Sequence, residues 1–166
     1  MSKEILMVVD AVSNEKGVEK AKEEFAYLLG LKTENSRSRI GVFLNNRPAF
    51  YVLTLKPNVM DRIVGDELAE PLKSLDVAVL TRLVFIELLG LDETELDDDK
   101  LIEYSSDNEE AIDMVASGDA DISFILNPPS NDQVRRIAEE GVTMPRKTTY
   151  YYPKALSGQV MNKLAS

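Results

Sequence analysis

The densest set of chemically capable side chains lies late in the chain, in Met144-Pro145-Arg146-Lys147-Thr148-Thr149-Tyr150-Tyr151-Tyr152-Pro153-Lys154. Arg146, Lys147 and Lys154 supply fixed cations, Thr148 and Thr149 supply hydroxyl donors, and Tyr150 opens a run of three phenols. Cations and hydroxyls that converge hold a phosphate or carboxylate through charge-assisted hydrogen bonds. Tyrosine rings stack on a base or sugar. Arg146, Lys147, Thr148, Thr149, Tyr150 and Lys154 are therefore the candidate anion-binding residues. The same segment also suits a closing strand with aromatic and β-branched side chains on alternate faces and solvated cations. That reading is the simpler one, because Thr and Tyr are ordinary strand residues.

Three acidic features invite a metal or ligand reading. The run Asp92-Glu93-Thr94-Glu95-Leu96-Asp97-Asp98-Asp99 holds six acids in eight residues. A calcium loop needs acids at alternate positions, a central glycine and a late Glu. Thr94 and Leu96 break the alternation and no glycine follows in register, so a solvated loop or helix start is expected. Asp10, read as lying just past a strand, could meet Mg²⁺ at the carboxyl edge of a sheet, although a lone Asp is an ordinary turn residue. Gly118-Asp119-Ala120-Asp121 could face a ligand, and equally is how a helix passes through Gly into a strand. No glycine-rich phosphate loop occurs.

The composition excludes more than it assigns. The chain has no Cys and no His, so nucleophile–His systems and zinc sites of the Cys/His kind are impossible. A general acid or base would have to be a carboxylate, Lys or Tyr, and only oxygen-liganded metals suit the available side chains. No catalytic residue and no metal ligand is assigned. No cofactor is required by the sequence, and Mg²⁺ enters only if the anion site performs phosphoryl transfer. The formal net charge is -10, which opposes binding to a duplex carrying one negative charge per ~1.7 Å. From Met144 onward four cations (Arg146, Lys147, Lys154, Lys163) face no acid. That asymmetry suits a pocket better than a nucleic-acid face.

Those candidates depend on a fold that the hydrophobic pattern outlines. A chain of 166 residues, 44% hydrophobic, is expected to form a single domain, 1–166, with no internal boundary. Residues 5–12 read as a buried strand and 15–29 as an amphipathic helix stopped by Gly30. Ile40 to Leu44 and Ala49 to Leu55 flank Asn45-Asn46-Arg47-Pro48 and predict a hairpin, ended before Pro57. Leu75 to Leu89 predicts a helix apolar on several faces, closed by Gly90. Leu101 to Tyr104 reads as a short strand, and Ser106 with Glu109 as a capping box opening a helix to Gly118. Asp121 to Asn127 alternates as a strand. Ser130 with Gln133 is a second capping box, opening a helix stopped at Gly141. Strand-helix-strand-helix at these lengths favours a parallel pairing. The expected class is α/β (or α+β), with a mixed sheet and four or five helices. The apolar runs are too short or too interrupted for a membrane span or signal peptide, so a cytoplasmic setting is expected.

Three stretches taken together resemble a known family: Leu75-Asp76-Val77-Ala78-Val79-Leu80, Phe124-Ile125-Leu126-Asn127-Pro128, and Met144 to Lys154. They are similar to the C-terminal portion of the bacterial and archaeal family called domain of unknown function 1015. Its late motif reads Met-Pro-x-Lys-Ser/Thr-Thr-Tyr-Phe/Tyr-Tyr/Phe-Pro-Lys. The likeness runs from about Phe25 to the end and is densest after Leu75. Family members are often labelled ParB-like and carry an upstream Asp-Gly-His-His-Arg signature, which a chain without histidine lacks. The resemblance implies a C-terminal piece of a longer protein, or a short relative lacking the upstream half. Three functions follow as expectations. The first is an uncharacterised accessory or interaction domain, pairing with an upstream catalytic module or as a homodimer through the Leu75 to Leu89 helix and the tyrosine segment, and without catalytic machinery of its own. The second is a domain binding a phosphorylated or nucleotide-like small molecule. The third, nucleic-acid binding, rests on the ParB-like label alone.

Overall fold

The computed structural model describes residues 7–13, 18–30, 37–45, 49–98 and 100–145. Four strands, β1 (Met7–Ser13), β2 (Arg39–Leu44), β3 (Ala49–Leu55) and β4 (Ile122–Leu126), form one sheet in the order β1-β3-β2-β4. Helix α1 (Val18–Gly30) follows β1. After β3 come α2 (Val59–Ile63), 3₁₀ turns at Gly65–Glu67 and Glu70–Ser74, and α3 (Asp76–Val79). Helix α3 runs directly into a π-helical stretch, Leu80–Leu89. The short α4 (Glu93–Leu96) and then α5 (Asn108–Ser117) precede β4, and α6 (Asn131–Glu139) follows it. Helices packed on a sheet are the expected class.

The hydrophobic alternation along the strands explains why helices cover both sheet faces. Ile40 lies across from Leu53 and Leu126, and Val42 across from Tyr51 and Phe124. With Met7 and Leu55 these residues meet Val59 and Met60 of α2, Val79, and Leu80, Leu83, Val84 and Phe85 of the π stretch. On the other face Val12, Phe50, Val52 and Ile125 meet Ala21, Phe25 and Leu29 of α1 and Ile112 of α5. Successive strand residues point to opposite faces, so one sheet serves two cores. A third cluster docks Ile137 of α6 on Leu72, Leu75 and Ala78.

Several expectations need correcting. All three ladders are antiparallel, so the parallel pairing expected for the last strand-helix unit is not formed. Leu101 to Tyr104 is not a strand. A strand inside a parallel sheet buries both faces, whereas Leu101 and Tyr104 are exposed and only Ile102 reaches the core. Helix α5 is capped by Asp107 rather than Ser106: its carboxylate accepts from the amides of Glu109 at 2.8 Å and Glu110 at 3.4 Å. A carboxylate at a helix N-terminus also meets the positive end of the helix dipole, which favours it over a hydroxyl. The long helix 76–89 is π-wound over most of its length. The i→i+5 winding brings buried Val79 and Leu80 into line with Val84 and Phe85, one wide turn further on. Among the described residues there are six α-helical segments, more than the four or five expected, because α2 and α4 are too short for periodicity to reveal. The hairpin, the Ser130–Gln133 capping box and the stops at Gly90, Gly118 and Gly141 stand as read. No helix among the described residues is long and apolar enough to cross a membrane.

Two contacts fix how the layers meet. A Cβ on Gly41 would lie 2.3 Å from Phe25 Cζ and 3.2 Å from Ile125 Cβ, so only glycine lets the Phe25 ring lie on the sheet. There Phe25 sits 5.0 Å from the ring of Phe50, which stacks on Phe43 at 4.7 Å. Lys73 ties its 3₁₀ turn to α2 by an ion pair to Asp61 at 2.8 Å and pairs within the turn with Glu70 at 2.7 Å, and the two hold its ammonium well above the usual lysine range. Gly41→Ala is expected to cost about 1–3 kcal/mol by overpacking. Adding Phe25→Leu should restore part of that loss. Urea unfolding of the two single variants and the double variant measures both effects.

Candidate functional site

A part-buried polar cluster sits at one end of the sheet, where β2 begins and β4 ends. Asn127 leaves β4 immediately before Pro128-Pro129. Proline has no N–H to give a ladder, and β4 ends at Leu126, which leaves Asn127 to bond outside the ladder. Its amide nitrogen lies 3.2 Å from Asp76 Oδ2, 3.3 Å from the Leu29 carbonyl and 3.3 Å from the Arg39 carbonyl. Its backbone N–H also donates to Asp76 Oδ2, at 3.2 Å. Asp76 is the first residue of the long helix, so one carboxylate joins that helix to β4, and one amide joins both to α1 and β2. The Ser38 hydroxyl donates to the Ser74 carbonyl at 3.5 Å, beside Asp76. Arg39 itself donates from Nη1 to the Leu28 carbonyl.

A second tier supports this joint from the α6 side. The Gln133 amide, besides closing the cap with Ser130, donates to the Ser74 carbonyl at 2.9 Å and lies 3.3 Å from the Ser74 hydroxyl. The Ser74 hydroxyl donates to the Pro71 carbonyl at 3.1 Å. Across the ladder from Arg39 stands Thr54. Arg39 Nε and Thr54 Oγ1 are buried without a hydrogen-bond partner among the described residues. Burial pushes the Asp76 carboxyl above its ordinary value, while the hydrogen bonds from Asn127 pull the other way. The site thus pairs a partly desolvated carboxyl with two donors from one asparagine.

The candidate anion-binding residues Arg146, Lys147, Thr148, Thr149, Tyr150 and Lys154 lie outside the described residues. Other sequence candidates resolve into structural roles. Asp10 lies within β1, paired with Val52, as the strand reading of 5–12 has it and not past the strand as the Mg²⁺ reading needs. Asp92 is the N-cap of α4: it accepts from the amides of Thr94 and Glu95, and Glu95 returns the bond in a capping box. The Thr94 hydroxyl, donating to the same oxygen at 2.6 Å, and then these amides hold its carboxyl below the usual carboxylate range. Gly118 has φ 89° and closes α5, and the Asp119 carboxylate accepts from the Ser117 hydroxyl at 2.7 Å.

A shallow acidic hollow on α5 is lined by Asp107, Glu109, Glu110, Asp113 and Asp119, with Met114 and Ser117. Asp107 caps the helix, Glu110 takes the Ser105 hydroxyl and Asp119 takes Ser117. No group of three or more acids among the described residues is arranged to hold a metal ion.

Asp76 and Asn127 were not singled out by sequence. Two signals point to them in retrospect: an acid opening an otherwise apolar helix, and an Asn wedged between a strand and two prolines. Comparison with protein families, with curated proteins and with solved structures finds no match.

Removing the Asn127 amide strips a donor from the part-buried carboxylate and removes its bonds to the Leu29 and Arg39 carbonyls. Asn127→Ala is therefore expected to destabilise the fold by about 1–3 kcal/mol. Because the two side chains share one network, the effects of Asn127→Ala and Asp76→Asn should be non-additive by at least ~0.5 kcal/mol. A double-mutant cycle in denaturant checks this, and additive effects would mean that the two groups do not interact.

Proposed function

We propose that this chain is an accessory interaction domain of a larger cytoplasmic system. It packs through apolar side chains on residues 88–104 against an upstream catalytic module or a second copy of itself. The observation that carries this reading is exposure. Leu88, Leu89, Leu101 and Tyr104 are 47%, 56%, 54% and 52% accessible, on a segment anchored to the core by Leu91, Leu96 and Ile102. Leucine pairs in solvent are normal singly, whereas several on one anchored segment mark a contact surface. The likeness to the C-terminal portion of domain of unknown function 1015 supports the same reading, since that family places its His-containing signature upstream. Light scattering during size-exclusion chromatography tests self-association. The expected result is a dimer that becomes a monomer in Leu88→Glu/Leu89→Glu. A wild-type chain that stays monomeric and ignores a module bearing Asp-Gly-His-His-Arg would retire the proposal.

A second reading is favoured by the charge asymmetry of the chain, +4 from Met144 onward against -14 before it. Arg146, Lys147 and Lys154 would bind the anion of a phosphorylated or nucleotide-like ligand, with Thr148, Thr149 and Tyr150 orienting it. A thermal-shift screen of nucleotides and phosphorylated metabolites, with and without Mg²⁺, tests it. A true ligand at ~100 times Kd adds ~2.7 kcal/mol of stability, and Lys147→Ala should abolish the shift. Melting curves that no compound moves would exclude this site.

A further inference from the structure

We propose that β4 is the seam between two copies of this chain: its outer edge pairs antiparallel with the second copy's β4 about a two-fold axis at Phe124, the self-association proposed above being taken as given. In the order β1-β3-β2-β4 the last strand has β2 on one side, and no strand among the described residues on the other. Asn45 donates its N–H to the Asp121 carbonyl at 2.9 Å, and the register places Phe43 opposite Ser123 and Gly41 opposite Ile125. In an antiparallel ladder every second residue bonds to a given neighbour, so Asp121, Ser123 and Ile125 bond to β2. The N–H and C=O groups of Ile122, Phe124 and Leu126 therefore turn away from β2, toward the outer edge.

The same three residues carry side chains that the fold leaves incompletely covered. Ile122 is exposed and Phe124 and Leu126 are half-buried, whereas Ser123 and Ile125 between them are buried. Edge strands are ordinarily blunted by a charge, a proline or a bulge. The run Ile-Ser-Phe-Ile-Leu has neither charge nor proline, and its register with β2 is unbroken. The opposite edge differs: Asp10 is the middle residue of β1, and a two-fold pairing there would set like charges face to face. A two-fold axis at Phe124 instead sets Phe124 opposite its own counterpart, Ile122 opposite the second copy's Leu126, and Asp121 opposite the second copy's neutral Asn127. Aromatic and branched apolar pairs stabilise such a ladder, and a two-fold contact has to be self-complementary in this way. The apolar surface of residues 88–104 begins close to this strand. Phe124 meets Phe85 edge-on at 5.4 Å, and Leu88 lies within one turn of Phe85 on the same helix. Strand pairing sets the register, and the exposed leucines add apolar area toward the roughly 1,200–2,000 Å² that a stable interface buries.

The test uses the full chain. Proline is tolerated as the first residue of an edge strand, and Ile122→Pro removes an N–H that makes no bond to β2. The variant should fold, yet lose one seam hydrogen bond from each copy and weaken the dimer by roughly tenfold or more in Kd, read by light scattering across a dilution series. Ile122→Thr keeps that N–H and should dimerise more tightly than Ile122→Pro. In a mixed sample of labelled and unlabelled wild type, an isotope-filtered contact between Ser123 Hα and the second copy's Ile125 Hα should appear. A dimer that survives Ile122→Pro and lacks this contact, yet is lost in Leu88→Glu/Leu89→Glu, overturns the seam and leaves the apolar surface standing. The reverse pattern keeps the seam and removes that surface. A monomeric wild type overturns the seam in either of two forms: the Ile122, Phe124 and Leu126 amides exchange fast and the edge is open, or they exchange slowly and this chain's own later residues cover it. Should Ile122→Pro fail to fold, the filtered contact in wild type decides alone.

Discussion

Polar groups taken out of water must find partners, and in this fold that constraint is concentrated at one end of the sheet. Asn127 bridges to residues 51, 88 and 98 positions away in sequence. Contacts that distant cost loop-closure entropy. They persist only because apolar packing on either side has already brought the segments together. The hydrophobic clusters supply the driving force, and the hydrogen bonds of Asp76 and Asn127 choose among the arrangements that burial alone would permit. A carboxylate left there without its donors would cost more than the bonds contribute when made. The joint is therefore a stronger determinant of geometry than of net stability.

The two faces of the sheet solve different packing problems with the same alternation. On the α1 side a removed side chain does the work: Gly41 clears a place for Phe25, and the Phe25, Phe50 and Phe43 rings run on from it. On the other side a widened helix fills the space. Its π winding puts Phe85 edge-on to Phe124, with centroids 5.4 Å apart. Asp76 and Asn127 lie where these two solutions meet, at the ends of the helix and strand that carry Phe85 and Phe124.

Much of this was legible from the pattern of residues and some of it was not, for identifiable reasons. The hairpin of β2 and β3 was legible because two apolar runs flank an Asn/Pro turn, which is local information. Helix α1 was legible from its apolar spacing, and α6 from its capping box and glycine stop. The partner of β4 was not, because strand pairing is set by which faces must be covered, and no local signal shows that β2 has a free edge. Leu101 to Tyr104 misled because three of four residues are apolar or aromatic, yet two of them point to solvent. The choice of Asp107 over Ser106 as a cap turns on one position of register, within the error of any boundary read from sequence. The Asp76–Asn127 joint escaped notice because each residue alone has an ordinary explanation. Only their proximity in space makes them a pair.

The acidic character of the chain also becomes intelligible once the helices are placed. Asp92 and Asp107 cap helix N-termini, Glu109 and Glu110 lie in the first turn of α5, and Asp132 lies in the first turn of α6. Negative charge at those positions meets the positive end of each helix dipole. A substantial part of the -10 charge is thus explained by helix ends, with no ligand invoked. What helix ends do not explain is apolar: the leucines and tyrosine of residues 88–104 are held outward by a segment whose other side is fixed in the core. Charge spread over helix ends keeps such a domain apart from non-specific partners. Association of the kind proposed would then come from apolar complementarity at that segment rather than from electrostatic steering.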